Sequence, residues 1–433
     1  MHISLEPPRD SFTLAAVGDC LMRDPVSHTI GFAPLRELIR RADAAFGNLE
    51  ICLRNSCEDA APPPAKFGIG TARGAPAVAS DLKNMGLNLL SLANNHVMDF
   101  GWEGARQTAG LLDEEGLIYS GVGEQRSSAL AARYLETGAG RIALISATST
   151  FAPHSRATAP FASVRARGGV NGLRAKRFLR VTHDEIQMLR AIRDQQPPGS
   201  FWKSNRDPED EVELGGVWWK VASQRGFSYS LDASDEQEIL DSVRAAKQQA
   251  SFVVFSMHAH EPGNWSEEPA DFLPALAHEV INAGADAVVA HGPHRMRGIE
   301  IYRSRPVFYS LGNFIFQIDL LAQSAAEFFT PDESEVQASQ AEIQALWSSL
   351  TAGGDEPFQS ILAMTEFRQG EVEEIRLIPL ELRFLASGAS RGVPRLALGD
   401  QAQTTLELVS RLSEPFGTRV TIDQGIGRIR PKN

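Results

Sequence analysis

Short apolar runs alternate with amphipathic segments along the first 150 residues of the chain. The runs FTLAAVGD, AAFGNLE, LNLLSLAN and RIALISAT are brief and rich in apolar residues, which predicts buried strands. The segments FAPLRELIRRA, APAVASDLKNMG and WEGARQTAGLLDEEG carry apolar residues at helical spacing. Alternating strands and helices predict an α/β fold in which helices pack on the faces of a central sheet.

The alternation returns between residues 235 and 317. DEQEILDSVRAAKQQA and PADFLPALAHEVINAG predict helices, whereas SFVVFSMHAH and ADAVVAHGPH predict strands that end in polar loops. GIEIYRSRPVFYSLGNFIFQ predicts two strands around an Arg-Ser-Arg-Pro turn. Beyond it, the pattern predicts a β-hairpin around RQGE at residues 359–384 and a helix near 401–413.

Two segments interrupt this pattern, at about residues 150–230 and 318–356. We interpret them as insertions into a single domain that spans residues 1–433. The first contains a predicted helix at about 183–194, a basic run and three tryptophans: Arg165, Arg167, Arg174, Lys176, Arg177, Arg180, Trp202, Trp218 and Trp219. It forms either a lid or substrate wall, or a solvated surface excursion.

Composition narrows the classes of function. A formal net charge of -12 disfavours nucleic acid as the main partner, because phosphate binding requires a basic surface. The three cysteines Cys20, Cys52 and Cys57 form no CxxC pair and are expected to be reduced thiols. The sequence shows neither a secretory signal pattern nor an apolar stretch of about 18 residues. We therefore expect a cytoplasmic protein with no membrane or nucleic-acid partner.

Polar side chains gather where five predicted strands end. The five motifs are VGDC, with Asp19; GNLE, with Asn48 and Glu50; ANNHVMD, with Asn94, Asn95, His96 and Asp99; MHAHE, with His258, His260 and Glu261; and AHGPH, with His291 and His294. Ligands of α/β sheets collect at the carboxyl ends of parallel strands. We therefore expect these side chains to meet at one edge of the fold.

The residue types in these motifs favour a divalent metal site. Carboxylates, amides and imidazoles without a thiolate suit Mn, Fe, Zn, Mg or Ca. His258 and His260 alternate along a predicted strand and can point to one side. His291 and His294 flank a Gly-Pro turn that can bring them to a common centre. The set is large enough for two ions that share a carboxylate, an arrangement that clamps an oxyanion or activates water.

Together, these motifs resemble the CapA-like (poly-γ-glutamate capsule-synthesis) family of the calcineurin-like metallophosphoesterase superfamily. The resembling stretches cover about residues 15–120 and 235–317: GDCLM, FGNLE, SLANNHVMDFG, HAHEP, AGADAVVAHGPHRMRGIEIY and PVFYSLGNFIFQ. The resemblance implies a four-layer α/β/β/α sandwich with insertions. It also implies one or two divalent ions (Mn, Ca, Mg, Zn or Fe) at one edge.

The resemblance further implies which residues bind metal. The implied ligands are Asp19, Glu50, Asn95, one or both of His258 and His260, and one or both of His291 and His294. Two motifs depart from the patterns that the resemblance implies. Leu21 stands where the superfamily's first motif has histidine, as is usual in CapA-like members, and Ala290-His291-Gly292-Pro293-His294 replaces the Gly-His-His-Pro-His that is frequent in those members. One potential ligand or acid/base group is therefore absent, which makes efficient phosphoester hydrolysis less expected.

Three functions are compatible with this resemblance: phosphoester hydrolysis, an accessory role with an acidic capsule polymer, and peptide chemistry. Some CapA-like proteins without a membrane anchor epimerise ribosomal peptides such as lasso-peptide precursors. Our specific prediction is such a Cα epimerisation, in which the metal stabilises an enolate and histidines exchange the proton.

The predicted partner is accordingly a peptide, with an acidic polymer as the alternative. The predicted acid/base residues are His294, His96 and His260, and Asp99 is expected to orient one of them. Asn94, Glu261 and Arg297 are the predicted substrate contacts.

Overall fold

A computed structural model describes residues 11–55, 72–195, 208–317, 358–383 and 392–431 of the chain. Its strands in the first half are β1 (Ser11–Leu21), β2 (Ala44–Leu49), β3 (Cys52–Leu53), β4 (Arg73–Gly74), β5 (Leu89–Ser91), β6 (Ile118–Ser120), β7 (Val122–Gly123), β8 (Arg133–Thr137), β9 (Gly140–Thr148), β10 (Gly169–Val170), β11 (Ala175–Val181) and β12 (Glu211–Leu214). The remaining strands are β13 (Val217–Val221), β14 (Gly226–Leu231), β15 (Phe252–His258), β16 (Ala287–His291), β17 (Ile299–Tyr302), β18 (Arg305–Phe308), β19 (Asn313–Phe316), β20 (Gln359–Arg368), β21 (Glu371–Glu381), β22 (Arg395–Leu396), β23 (Thr421–Asp423) and β24 (Ile426–Ile429). The helices are α1 (Ala33–Ile39), α2 (Val78–Met85), α3 (Gly101–Glu115), α4 (Arg126–Leu130), α5 (His183–Asp194), α6 (Ala233–Lys247), α7 (Phe272–Ala283) and α8 (Gly399–Ser413).

Two large sheets form the centre of the described structure. The first has the order β23–β24–β21–β20–β1–β2–β5–β6, with β19 also beside β1 and β22 beside β21. The second has the order β17–β18–β16–β15–β9–β8. Strands β1, β2, β5 and β6 run parallel, and so do β9, β15, β16 and β18. The carboxyl ends of each parallel group therefore lie at one edge of its sheet.

The two sheets pack face to face through alternate apolar residues. Leu14 and Phe46 of the first sheet belong to one buried cluster with Leu144, Val254 and Val289 of the second. These positions follow the two-residue period of a strand, so each strand turns one set of side chains inward. Helix α8 adds apolar residues to the same inter-sheet core.

Helices cover the outer faces of both sheets. Leu35 of α1, Leu82 of α2 and Leu112 of α3 pack on the outer side of the first sheet. Ile239 of α6 and Val280 of α7 pack on the outer side of the second. The layers follow the order helix, sheet, sheet, helix, which confirms the predicted α/β fold and its four-layer α/β/β/α sandwich.

The segment after β18 differs from the predicted pair of strands. β17 and β18 do form an antiparallel pair around the Arg-Ser-Arg-Pro turn. The chain then turns at Gly312, where φ is +78°, and β19 joins the first sheet beside β1. A Cβ atom at Gly18 would lie 1.7 Å from the carbonyl oxygen of Gly312, so only glycine permits this approach. The crossing sets Asn313 in register with Asp19.

The first predicted insertion contains a small accessory sheet of order β12–β13–β11–β14. The predicted helix at 183–194 is confirmed as α5. Trp218 and Trp219 are neighbours in β13 and therefore face opposite sides of the accessory sheet. Lys176 Nζ lies 3.0 Å from the centre of the Trp218 ring, and Arg174 Nε pairs with Asp235 at 2.8 Å.

Several predicted features lie outside the described residues: Cys57, Trp202 and the second predicted insertion. Cys20 and Cys52 are free and buried. Among the described residues, no helix has the length and apolar character that crossing a bilayer requires.

Candidate metal centre

The polar ends of the parallel strands meet where the two sheets face each other. In the first sheet, Asp19 is in register with Asn48, and Asn48 with Ser91. In the second sheet, His258 is in register with His291. The inward-facing positions that are apolar in the middle of these strands become polar at their carboxyl ends. Motifs that are far apart in the sequence thereby form one buried cluster.

Asp19 is held by hydrogen bonds from both sheets. Its Oδ1 accepts an N–H from Asn48 Nδ2 at 2.8 Å, and its Oδ2 accepts the backbone N–H of Gly292 at 3.1 Å. The Nδ1 atoms of His291 and His294 each lie 3.6 Å from an oxygen of this carboxylate. Burial, reinforced by the nearby Glu50, raises the pKa of Asp19 well above its usual value. A cation would relieve that penalty.

Glu50 lies among three histidines at the centre of the cluster. Its Oε1 is 3.7 Å from Nε2 of His258, 3.7 Å from Nε2 of His260 and 3.8 Å from Nε2 of His294. The side chain is fully buried, and neither carboxylate oxygen has a hydrogen-bond partner in the described structure. Burial raises the pKa of Glu50. A buried carboxylate is stable only with a compensating charge or hydrogen bonds, so this environment suits a bound cation.

The histidines direct their ring nitrogens toward one another. His258 Nε2 lies 2.9 Å from His260 Nε2, and His258 Nδ1 lies 3.0 Å from His291 Nδ1. Burial and the neighbouring imidazoles lower the pKa of His258 well below its usual value. Burial also lowers the pKa of His291 to about 3 and those of His260 and His294 to about 4. The rings are therefore neutral near pH 7, which is the form that binds metal.

The ligand atoms fall into three overlapping groups. They are Asp19 with His258 and His291, Glu50 with His258 and His260, and Asp19 with Glu50 and His294; within each group the ligand atoms lie within 4.8 Å of one another. Asn95 Oδ1 is buried and has no hydrogen-bond partner in the described structure, and its role as a further ligand stays a prediction. Carboxylate and imidazole donors in shared groups fit one or two divalent ions.

His96 and Asp99 form an ion pair beside this cluster. His96 Nδ1 lies 2.7 Å from Asp99 Oδ2, and the same oxygen accepts the backbone N–H of Ala72 at 2.6 Å. Burial alone would lower the pKa of His96, but the Asp99 carboxylate, with help from Glu50, raises that pKa to about 9. His96 is therefore protonated at neutral pH, in contrast to the other site histidines.

Asn94 has a different position from the predicted substrate contact. Its Nδ2 donates to Asn48 Oδ1 at 3.1 Å and to the carbonyl of Leu49 at 2.9 Å. Its Oδ1 accepts the backbone N–H groups of His96 at 3.1 Å and Val97 at 2.9 Å. Every polar atom of the buried amide is thus used within the protein. Asn94 positions the loop of His96 and has no donor or acceptor left for a substrate.

Arg297 contacts the loop that follows β15, to which Glu261 belongs. Arg297 is fully buried, and its guanidinium donates to the carbonyls of Ser266 at 3.0 Å and Glu261 at 2.9 Å. These two bonds hold the loop, whereas Nη1 has no hydrogen-bond partner in the described structure, and the predicted contact of Arg297 with substrate stays a prediction. Glu261 is half-buried, and its Oε2 accepts hydrogen bonds from Ser149 Oγ at 2.8 Å and Thr150 Oγ1 at 3.1 Å. Its predicted contact with substrate stays a prediction.

Asn313 and Ser256 orient metal-site histidines and were not predicted. Asn313 Oδ1 lies 3.0 Å from His294 Nδ1, and His294 adopts a positive φ of 56°. Ser256 Oγ lies 2.7 Å from His291 Nε2, which leaves His291 Nδ1 directed at Asp19. In SLGN, as in GNLE, a Gly-Asn pair comes directly after apolar residues of a predicted strand, and that similarity is the signal that could have identified Asn313.

The chain is similar in sequence to a described family and to several known proteins. Residues 13–318 match the family described as bacterial capsule synthesis protein PGA_cap. The chain is 44% identical over 435 residues to the uncharacterized protein y4sH of Sinorhizobium fredii (strain NBRC 101917 / NGR234), covering 97% of this chain and 93% of that protein. It is 26% identical over 235 residues to the capsule biosynthesis protein CapA of Bacillus anthracis, covering 54% of this chain and 41% of CapA. A phosphatase structure from Mycoplasma pneumoniae aligns with a TM-score of 0.39 and 10% identity, covering 87% of this chain and 97% of that one.

Proposed function

The chain belongs to the bacterial capsule synthesis protein PGA_cap family, and we propose that it is a metal-dependent hydrolase that cleaves a phosphoester. The observation that carries the proposal is the Glu50 carboxylate. It is buried, has no hydrogen-bond partner in the described structure and lies within 3.8 Å of three imidazole nitrogens. Such an environment disfavours an isolated charge and favours a bound divalent ion.

The ligand groups contain enough side chains to bind two neighbouring ions. Asp19, His258 and His291 would hold one, and Glu50 with His260 and Asn95 would hold the other. A divalent ion at these positions supplies Lewis acidity, which polarises a phosphoryl oxygen. The chain's own contribution is to fix the ligand geometry and to bury it at the edge of the two sheets, where little water screens the charges.

His96 is the proposed proton donor to the leaving oxygen. Its Nδ1 is fixed by Asp99 at 2.7 Å, which leaves Nε2 as the nitrogen that can meet a substrate. Asp99 is a positioning residue, because its Oδ2 already bonds His96 Nδ1 and accepts the backbone N–H of Ala72. Asn94 completes this arrangement by accepting the backbone N–H of His96.

A second candidate function is the predicted Cα epimerisation of a peptide, and one feature of the site favours it. The Nε2 atoms of His260 and His294 both lie within 3.8 Å of Glu50 Oε1, and both rings are neutral. A neutral imidazole is the form that removes a Cα proton, and the imidazolium that results can return a proton. The substrate would then be a peptide rather than a phosphoester.

One experiment separates these functions. The Mn²⁺-loaded chain is incubated in deuterium oxide with an aryl phosphate and, in parallel, with candidate precursor peptides. Phosphate release without deuterium uptake supports the hydrolase, and gain of one deuterium at a peptide Cα supports the epimerase instead. Metal binding without either reaction would contradict both. It would support a polymer-binding role, in keeping with the name of the relative from Bacillus anthracis.

Two variants accompany that experiment. Glu50→Gln removes the central carboxylate and is expected to abolish turnover. Glu300→Gln is the matched control. Glu300 lies in β17 of the second sheet, where its carboxylate forms hydrogen bonds with His278 and Tyr309, and it belongs to none of the ligand groups. Equal loss of activity in both variants would show that the effect is not specific to the metal centre.

A further inference from the structure

A groove of about 840 Å³ lies beside α3 and shares no residue with the metal centre. Side chains from α3, β6, β7, α4, the start of β8 and the loop before β10 line it. Clefts that bind small molecules commonly have volumes of about 300–1,000 Å³. The groove is therefore large enough to hold a small-molecule ligand.

Three arginines from different segments line this groove: Arg106 of α3, Arg133 of β8 and Arg165 of the loop before β10. Arg106 is paired with Glu103, whose carboxylate accepts from Nε at 3.1 Å and from Nη2 at 2.7 Å. Arg133 and Arg165 are exposed, and neither has a carboxylate partner among the described residues. Two guanidinium groups are therefore left to bind a ligand.

The two carboxylates that line the groove leave these guanidinium groups unpaired. Asp113 Oδ2 accepts the hydroxyl of Tyr119 at 3.0 Å, and the guanidinium carbon of Arg133 lies 5.2 Å from the centre of the Tyr119 ring. The aromatic ring thus supports Arg133 without using its N–H groups. Glu124 is exposed and forms an ion pair with neither Arg133 nor Arg165 in the described structure.

The charge of the groove differs from that of the whole chain. The formal net charge of the chain is -12, so its overall field repels anions. The side chains that line the groove instead carry three positive and two negative charges. Guanidinium groups bind carboxylate and phosphate oxygens through paired N–H donors. The groove is therefore a local exception at which an anion is attracted.

We propose that this groove is a second binding site, which takes a small molecule with a doubly charged oxyanion, either a phosphate or a pair of carboxylates. Arg133 and Arg165 would bind the oxyanion, and Trp102 and Val122 supply apolar walls for the rest of the ligand. The inference is independent of the proposed hydrolase activity, because no metal-centre residue lines the groove.

Two simple dianions test this inference. Sulfate represents the phosphate class of ligand, and succinate represents the dicarboxylate class. Their dissociation constants are measured by calorimetry on the full chain at low ionic strength, with Mn²⁺ and again after removal of metal. Binding should persist without Mn²⁺, and the probe that binds more tightly identifies the class.

Three substitutions in the groove and one control locate the binding. Arg133→Gln and Arg165→Gln should each weaken it about tenfold, which is the loss expected for one hydrogen bond to a charged group. Glu124→Gln removes a carboxylate that opposes an anion and should tighten binding about twofold. Arg177→Gln is the matched control, because Arg177 is also exposed and lies 5.2 Å from the centre of an aromatic ring, that of Phe227, but outside the groove.

The outcomes are distinct. Weaker binding in Arg133→Gln and Arg165→Gln, tighter binding in Glu124→Gln and no change in Arg177→Gln support the inference. Unchanged binding in Arg133→Gln and Arg165→Gln, or equal weakening in Arg177→Gln, overturns it. It is also overturned if the wild type binds neither probe, or binds them only with Mn²⁺. The hydrolase proposal stands or fails separately, on phosphate release.

Discussion

Substitution of Glu50 by Gln should change the stability of the protein in opposite directions with and without metal. The Glu50 carboxylate is fully buried and accepts no hydrogen bond in the described structure. An unsatisfied buried group of this kind costs about 1–3 kcal/mol. In the metal-free protein, Glu50→Gln should therefore raise the free energy of unfolding by about 1 kcal/mol, near the lower end of that range. As a ligand of a bound metal ion, the carboxylate would be compensated, so with metal the same change should be destabilising.

The size of the metal effect follows from mass action. Mn²⁺ at about 100 times its dissociation constant stabilises the folded state by about 2.7 kcal/mol. If loss of the carboxylate weakens binding about 100-fold, the same Mn²⁺ concentration stabilises the variant by only about 0.4 kcal/mol. A chain of 433 residues has an unfolding entropy of about 0.9 kcal/mol/K, so 1 kcal/mol shifts Tm by about 1 °C. Mn²⁺ should thus raise Tm by about 3 °C in the wild type and by less than about 1 °C in the variant.

The assay is thermal unfolding followed by tryptophan fluorescence, with EDTA and with Mn²⁺. Glu300→Gln is again the control, and its Mn²⁺-induced shift should equal that of the wild type. A Glu50→Gln protein that keeps the full shift would refute the assignment of Glu50 as a ligand. If Glu50→Gln is less stable than the wild type in EDTA, the buried carboxylate does not destabilise the metal-free protein, and that part of the reasoning is refuted.

Three further predictions concern residues that support the site and the fold. Ser256→Ala should lower Mn²⁺ affinity at least about tenfold in calorimetry, because His291 loses the partner that orients it; an unchanged affinity would contradict this. Gly18→Ala should destabilise the protein by about 3 kcal/mol or more in urea titrations, since the new Cβ would lie 1.7 Å from a carbonyl oxygen. Gly110→Ala, in open space on α3, should instead stabilise it by about 0.5–1 kcal/mol, and equal effects at both glycines would disprove the steric argument. Asp235→Ala should cost about 3–5 kcal/mol in the same titrations, because it leaves three arginines without their buried carboxylate; a cost below about 1 kcal/mol would disprove that role.

The sequence alone predicted most of the architecture. The alternation of apolar runs and helical spacing identified β1, β2 and β5 of the first sheet and β9, β15, β16, β17 and β18 of the second, and the helix at 183–194 is present as α5. The shorter strands β6, β8, β19, β22, β23 and β24 were not predicted. The hairpin at 359–384 is present as β20 and β21. These predictions succeeded because burial of one face makes apolar residues recur at a fixed spacing along each strand or helix. That spacing can be recognised within ten to fifteen residues. The second predicted insertion lies outside the described residues, and the single-domain interpretation stays a prediction.

The metal-site residues themselves were also recognisable in the sequence. Asp19, Glu50, His258, His260, His291 and His294 stand at strand ends, and parallel strands bring those ends to one edge. The structure gathers all six within the three overlapping ligand groups. Their assignment as metal ligands is still a prediction, which the Glu50→Gln experiment tests.

Only the tertiary structure decided which polar side chains point into the site. Asn94 carries a suitable group, but the packing of the loops consumes its amide. Asn313 reaches His294 because β19 crosses from one sheet to the other, and the protonation of His96 depends on Asp99 and Glu50 together. Element type follows from neighbours along the chain. Side-chain direction and charge follow from contacts between segments that are far apart in the sequence, such as those of Asp19 and Asn313. The sequence therefore determined which residue types stand at the strand ends, and the packing of the two sheets determined what each of them contacts.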